Sequence, residues 1–158
     1  MSQSSLNLRS QRLLRWPEWS VQRAVYKSMG YSDYDLQRPL VAIANSWNRV
    51  VPGHYNLQLV AEYVKQGVFQ GGGTPVEFGL IAACDGIAQG HVGMHYILPT
   101  RELVAHDVEM MVQAHQFDAV VLLGSCDTSR PSPTRPSAAS SPWTCWKSCR
   151  GPRRTWPR

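Results

Sequence analysis

The stretch that decides the fold is DAVVLLGSCD, residues 118–127. Its five consecutive apolar residues, 119–123, include β-branched valines and predict a buried β-strand. The strand runs into a short turn that ends in Cys126 and Asp127. A thiol and a carboxylate side by side at the end of a strand suggest a ligand site.

Two earlier apolar stretches, residues 40–44 and 76–83, predict further strands that also run into polar turns. Apolar residues at helical spacing predict three helices, over residues 20–29, 56–70 and 100–115. Thr100 is the predicted N-cap of the last helix. Strands that alternate with helices over short connections predict an α/β domain, with a parallel sheet and right-handed crossover helices.

In such a sheet, ligands bind outside the carboxyl ends of the strands. Each predicted strand places polar residues there. They are Asn45 and Ser46 after the first strand, Asp85 after the second, and Cys126 and Asp127 after the third. The convergence of these residues predicts a functional site at this edge.

The composition divides the chain into three parts. Residues 1–16 form a polar, basic arm, expected to lie on a neighbour or in solvent. Residues 17–127 form the incomplete α/β portion, and residues 128–158 form a tail. Residues 1–127 carry 9 Lys and Arg against 11 Asp and Glu, whereas the tail carries 7 basic residues and no acid. The net charge of +5 therefore comes from the tail alone.

The tail has six prolines and no Val, Ile, Leu, Met or Phe, so it is predicted to be disordered. The abrupt change after Asp127 suggests a shifted reading frame or a truncation. Cys145 and Cys149 could form half of a zinc site or part of a nucleic-acid patch, but so Pro-rich a segment disfavours both.

No apolar run approaches the roughly 18–20 residues that span a bilayer. No segment has the pattern of a signal peptide, so a cytoplasmic location is predicted, with a transit peptide as the less favoured alternative. The four cysteines do not suggest a disulfide framework, and Cys84 is expected to be a packing residue.

Each candidate ligand has a structural alternative. Asp85 and Asp127 could hold Mg²⁺ or could merely cap a turn or helix. Cys126 could bind iron or zinc, or could be an inert buried thiol. His91 and His95 have metal-ligand spacing, but the glycines around them predict a loop near the site rather than a helix.

Three motifs together identify a family resemblance. They are IANSWNRVVPGHYNL (residues 43–57), ACDGIAQGHVGMHYILPTRELVAHDVE (residues 83–109) and VVLLGSCD (residues 120–127). From about Arg9 to Asp127, the chain resembles the dihydroxy-acid dehydratase and 6-phosphogluconate dehydratase family. The tail does not share in the resemblance.

The resemblance implies a hydro-lyase that converts a 2,3-dihydroxy acid to a 2-keto acid, as in branched-chain amino acid biosynthesis. It implies an iron–sulfur cluster, 2Fe–2S or 4Fe–4S, that acts as a Lewis acid on the departing hydroxyl, and Mg²⁺ bound to the substrate. By motif, Asp85 and Asp127 are Mg²⁺ ligands and Cys126 is a cluster ligand. The expected partners are a small-molecule substrate and, in full-length members, a second copy of the chain. A nucleic-acid or membrane partner is not expected.

The chain departs from the family at two positions. Thr128 replaces a lysine that completes the Mg²⁺ site. Gly53 stands where many members have a cysteine, although one branch of the family also reads Pro-Gly-His. The remaining cluster cysteine, the base that removes the C2 proton and the second domain lie beyond Asp127 in the family. The chain is therefore expected to be an inactive fragment. The alternatives are a sugar-acid dehydratase and a non-enzymatic protein that binds through its basic tail.

Overall fold

The computed structural model of the protein describes residues 8–14 and 17–125, without the side chains of residues 12–14. Cys126, Asp127 and the predicted tail lie outside the described residues. No helix in the described part of the chain combines the length and apolar character needed to cross a membrane.

A three-stranded parallel sheet forms the centre of the described fold. The strands are β1 (Leu40–Asn45), β2 (Thr74–Gly79) and β3 (Ala119–Leu123), in the order β2-β1-β3. In the β1–β2 pair Leu40 lies opposite Thr74, and in the β1–β3 pair Val41 lies opposite Ala119. The parallel α/β fold predicted from the sequence is confirmed.

Six α-helices accompany the sheet in the described ranges. They are α1 (Arg9–Leu14), α2 (Ser20–Ser28), α3 (Asp33–Leu36), α4 (Leu57–Gln70), α5 (Asp85–Ala88) and α6 (Ile97–His115). Short 3₁₀ turns lie at Pro17–Trp19, Pro52–His54 and Val92–Tyr96. Helix α4 connects β1 to β2, and α6 connects β2 to β3 on the other side of β1.

The side chains of β1 alternate between two helical layers, as the pleat of a strand requires. Ala42 and Ala44 belong to clusters that contain Val112 and Val104 of α6. On the opposite face, the side chain of Asn45 contacts Glu77, which pairs with Lys65 of α4. Even-numbered residues of β1 therefore face α6, and odd-numbered residues face α4.

Strand β2 is shorter than predicted and ends at Gly79 instead of residue 83. Its partner β1 ends at Asn45, which is opposite Gly79. The last bond of this ladder runs from the amide of Leu80 to the carbonyl of Asn45, at 2.8 Å. Apolar residues beyond Leu80 have no strand to pair with, so they form a loop.

The prediction that β3 is a buried strand was wrong. Ala119 is exposed, and the side chain of Leu122 is 42% exposed. β3 is partly exposed because, within the described residues, it pairs only with β1 and so forms one edge of the sheet.

Helix α6 begins at Ile97, three residues before the predicted start. Pro99 fits the first turn because the amides of that turn have no acceptor within the helix. Thr100 is therefore not the N-cap, and its hydroxyl donates to the carbonyl of Tyr96, at 2.7 Å.

The N-terminal arm packs against its own chain where it is described. Ser10 of α1 is 1% exposed, and its amide donates to Asp118 Oδ1, at 3.1 Å. Arg9 donates to Gln113 at the end of α6, at 2.7 Å. The expectation of an arm on a neighbour or in solvent is therefore wrong for Arg9 and Ser10, since the partly buried Asp118 carboxylate offers an acceptor within the same chain.

Candidate functional site at the carboxyl edge of the sheet

The turn after β1 is held by two asparagine side chains. Asn45 Oδ1 accepts from the amide of Trp47, at 3.0 Å. Asn48 Oδ1 accepts from the amides of Val50 and Val51, at 3.0 and 2.8 Å. All three are Asx-type bonds, which fix a turn without help from a neighbouring strand. The polar turn predicted from the sequence is thus held by side-chain hydrogen bonds.

An ion pair on β2 supports this turn from the α4 side. Glu77 accepts a hydrogen bond from Asn45 Nδ2, at 2.7 Å, and pairs with Lys65, at 2.6 Å. Partial burial opposes ionisation of Glu77, but the bonds from Asn45 and Lys65 outweigh it and lower the pKa of the carboxyl. Glu77 therefore stays ionised and fixes the orientation of the Asn45 amide.

The exit of β3 is held by the turn that precedes α4. The hydroxyl of Ser125 donates to the carbonyl of Gly53, at 2.6 Å. The amide of Ser125 faces His54 Nε2 at 3.4 Å, a long and weak contact. The turn at Gly53 therefore contacts Ser125, the residue that immediately precedes the predicted cluster ligand Cys126.

His54 is completely buried beneath this contact. Burial lowers the pKa of its imidazole, and an interaction with the backbone of Ser46 only partly offsets that shift. His54 is therefore neutral near pH 7, so Nε2 can accept a hydrogen bond from an amide.

Ser46 is the residue that directly follows β1. Its amide donates to the carbonyl of Leu123, at 3.0 Å, and its carbonyl accepts from Asn48 Nδ2, at 3.2 Å. The residue is 1% exposed, and among the described residues its hydroxyl has no hydrogen-bond partner. An unsatisfied buried hydroxyl costs about 1–3 kcal/mol.

Asp85 lies in the segment after β2, where it is the first residue of α5. It is half-buried, and its Oδ1 accepts from the amide of Gly86, at 2.9 Å. The preceding residue, Cys84, is partly exposed and carries a free thiol. Asp85 therefore stabilises a turn, which was the structural alternative expected for it. Its role as a metal ligand stays a prediction.

His91 and His95 do not form a paired ligand site in this arrangement. His91 precedes a 3₁₀ turn that contains His95. The ring of His91 is engaged on both sides, since Nδ1 accepts from the amide of Gly93 and Nε2 donates to the carbonyl of Ile87, each at 3.0 Å. A metal ion at either nitrogen would displace one of these bonds.

The described residues include no group of three or more His, Cys, Asp and Glu side chains that could hold a metal ion. The donor chemistry nevertheless fits the implied groups. The Asp85 carboxylate is a hard oxygen ligand of the kind that Mg²⁺ prefers, and thiolates such as that of Cys126 bind iron. The hydroxyl of Ser46 lies at the same edge and has no hydrogen-bond partner among the described residues. A bound group that accepts a hydrogen bond would satisfy it.

Sequence reasoning missed the supporting residues Glu77, Lys65, His54 and Ser125. The signal for Glu77 was a single charge between the apolar residues Val76 and Phe78 of a predicted strand. For His54 and Ser125 no local signal exists, because their contact joins positions 71 residues apart.

Comparison with known proteins shows the family to which the chain belongs. The family profile described as "Dihydroxy-acid/6-phosphogluconate dehydratase N-terminal" matches residues 38–138, and the chain belongs to this family. The resemblance drawn from the motifs is thereby confirmed. The matched range runs past Asp127, so the proposed boundary between domain and tail stays a prediction.

Relatives named dihydroxy-acid dehydratase match most of the chain. The protein of Ignicoccus hospitalis is 54% identical over 123 residues, and that of Caldicellulosiruptor bescii is 52% identical over 124 residues. The protein of Pyrococcus furiosus is 45% identical over 124 residues. Each alignment covers 78% of this chain and 22% of the relative. The chain thus spans about a fifth of the length of these relatives.

Proposed function

We propose that the chain is the N-terminal part of an iron–sulfur hydro-lyase that converts 2,3-dihydroxy acids to 2-keto acids. The observation that carries the proposal is an identity of about half, over 78% of this chain, to relatives named dihydroxy-acid dehydratase. That naming favours a dihydroxy acid over a sugar acid as the substrate. The basic tail lies outside the described residues, and no described feature favours the alternative of a tail-binding protein.

In this proposal, Asp85 and Asp127 hold Mg²⁺, and Cys126 is a ligand of the cluster. When bound, these groups supply a Lewis acid for the departing hydroxyl and positive charge for the substrate carboxylate. Asn45 and Glu77 keep the turn after β1 in one conformation, and the carbonyl of Gly53 holds the end of β3 through the Ser125 hydroxyl. The edge is thereby organised before any ligand arrives, which lowers the entropic cost of binding.

Metal binding tests the ligand assignment without relying on activity. We expect D85N and D127N to weaken Mg²⁺ binding in calorimetry, and C126S to lower the iron and sulfide bound after anaerobic reconstitution. E109Q, which changes an exposed carboxylate on α6 far from the edge, is the matched control and keeps wild-type Mg²⁺ binding. Wild-type Mg²⁺ affinity in D85N would remove Asp85 from the site.

The chain is expected to be inactive by itself, because Thr128 replaces the lysine that the family uses to complete the Mg²⁺ site. The reconstituted chain is incubated anaerobically with 2,3-dihydroxyisovalerate, and the 2-keto acid is measured. Its formation above the level of the C126S variant would contradict the expected inactivity and would support the hydro-lyase assignment directly.

A further inference from the structure

The two outer strands of the described sheet differ in how their free edges are closed. The amide of Thr74 points toward β1, since it donates to the carbonyl of Pro39, at 2.8 Å. Main-chain groups alternate between the two edges of a strand, so Pro75 and Glu77 present theirs to the outer edge of β2. Proline has no amide hydrogen to donate, and proteins use both proline and charged residues to keep further strands from pairing. The outer edge of β2 is thereby closed to another strand.

The free edge of β3 has neither device. The amide of Asp118 donates to the carbonyl of Leu40, at 3.0 Å, so Ala119 and Val121 present their amides and carbonyls to the outer edge. Strand β3 contains no proline and no charged residue. Within the described part of the chain β1 is its sole neighbour, so these outward groups have no strand to pair with. An apolar edge left open in this way is a template for a further strand.

The side chains of β3 lead to the same conclusion. Five consecutive apolar residues are typical of a strand that lies inside a parallel sheet and is covered on both faces. Ala119 is nevertheless exposed, and Leu122 is 42% exposed. The composition of β3 therefore fits an interior strand better than the edge position that it has in the described fold.

The comparisons indicate which polypeptide carries the missing neighbour. The family profile that matches this chain is described as N-terminal, and about four-fifths of each named relative lies outside the aligned region. We call that part of a relative the remainder. Residues 128–158 of this chain contain no Val, Ile, Leu, Met or Phe, so their composition does not favour a strand. The remainder is therefore the better source of the strand.

We propose that β3 is an interior strand of a larger sheet, and that its open edge binds a strand from the remainder of a dihydroxy-acid dehydratase. The outward main-chain groups of Ala119 and Val121 form hydrogen bonds with that strand, as in other cases of strand addition. The added strand also reduces the exposure of the Leu122 side chain. The inference rests on family membership and on the edge of β3, and it does not depend on the hydro-lyase chemistry.

The test uses the full chain, co-expressed with the remainder of one of the three named relatives. The remainder is chosen because it co-purifies with the aligned region of its own protein, which shows that it is competent to bind. Site-resolved hydrogen exchange is measured for the chain alone and for the complex. We expect the amides of Ala119 and Val121 to exchange at least about tenfold more slowly in the complex, as one new hydrogen bond predicts. The amide of Val120 points toward β1 and is the internal control.

A variant at the exposed residue Ala119 tests the edge directly. A119P removes the outward amide hydrogen and keeps the bonds to β1, and proline is tolerated at the first residue of a strand. We expect A119P to weaken binding of the remainder about tenfold and to leave the urea-unfolding midpoint of the free chain unchanged. A119V keeps the amide hydrogen at the same position, so it is the matched control and binds as the wild type does.

Several results would overturn the proposal. A remainder that binds its own aligned region but not this chain would show that the edge of β3 does not accept it. Unchanged exchange at Ala119 and Val121 in the complex, or equal affinity of A119P and A119V, would place the contact elsewhere. Protection of the two amides that grows with the concentration of the chain alone would mean that a second copy occupies the edge.

Discussion

Gly53 and Ser125 are 72 positions apart in sequence, yet the hydroxyl of Ser125 donates to the carbonyl of Gly53 at 2.6 Å. The approach is so close that a Cβ atom at position 53 would clash with Ser125 Oγ. A side chain at position 53 and the Ser125 hydroxyl in its present place therefore exclude one another. The pair links the turn before α4 to the residue that precedes the proposed cluster ligand.

The first prediction concerns this pair. G53A should destabilise the chain by about 1 kcal/mol, because the Ser125 hydroxyl must turn away and lose its hydrogen bond. The cost of G53A should be smaller in an S125G background, where the clash is absent. Urea unfolding of the two single variants and the double variant gives the coupling. Strict additivity would show that the two residues do not exclude one another.

G67A is the matched control for that experiment. Gly67 is an exposed residue of α4, and a Cβ atom there would meet nothing within 4 Å. Alanine has the higher helix propensity, so G67A should stabilise the chain by roughly 0.5–1 kcal/mol.

The second prediction concerns the anchor of the N-terminal helix. Asp118 accepts from the amide and the hydroxyl of Ser10 and from the amide of Leu40, at 2.9 Å. D118A leaves these donors unsatisfied and should lower the free energy of unfolding by about 3 kcal/mol. S10A removes only the hydroxyl and should cost less. A loss in D118A no larger than that in S10A would be inconsistent with the shared anchor.

The third prediction concerns acid stability. Since the pKa of Glu77 is lowered in the folded state, the unfolded chain takes up the proton more readily. The stabilisation is therefore full above the unfolded pKa of about 4.5 and is lost as the pH falls through the lowered folded value. The wild type should lose stability over this range in urea unfolding at stepped pH, and E77Q should lose less.

E62Q serves as the control for Glu77. Glu62 also pairs with Lys65, at 2.8 Å, but its side chain is 58% exposed. Its removal should cost at most about 0.5 kcal/mol, as is usual for exposed ion pairs. If E62Q and E77Q are equally destabilised at neutral pH, the bond from Asn45 to Glu77 contributes nothing measurable.

The fourth prediction concerns His54 at mildly acidic pH. Its folded pKa lies below the ordinary value of 6.5, so the unfolded chain binds the proton first. Stability is thus complete above pH 6.5 and falls below it, by at most about 1.4 kcal/mol per pH unit. Unfolding of the wild type and H54Q between pH 5 and 8 checks this. If the free energy of unfolding of H54Q depends on pH as strongly as that of the wild type, another group causes the dependence.

Much of the architecture could be predicted from the sequence because its signals are local. Apolar runs and helical spacing located the three strands of the described sheet and the helices α2, α4 and α6, with errors in position only at their ends. The short helix α3 is not among the helices that apolar spacing predicted. Its capping box of Ser32 and Asp35 was the signal that could have revealed it.

The sequence by itself determined the alternation of strands and helices, the edge where polar residues gather, and the motifs that identify the family. Only the tertiary structure decided that β3 lies at an edge, that β1 is central, and that the amide of Ser46 bonds to the last residue of β3. It also decided the contacts of Asp118 with Ser10 and of Gly53 with Ser125. Periodicity reports which face of an element is buried. The partner of a strand and the acceptor of a buried hydroxyl depend instead on the register between segments that meet only when the sheet forms.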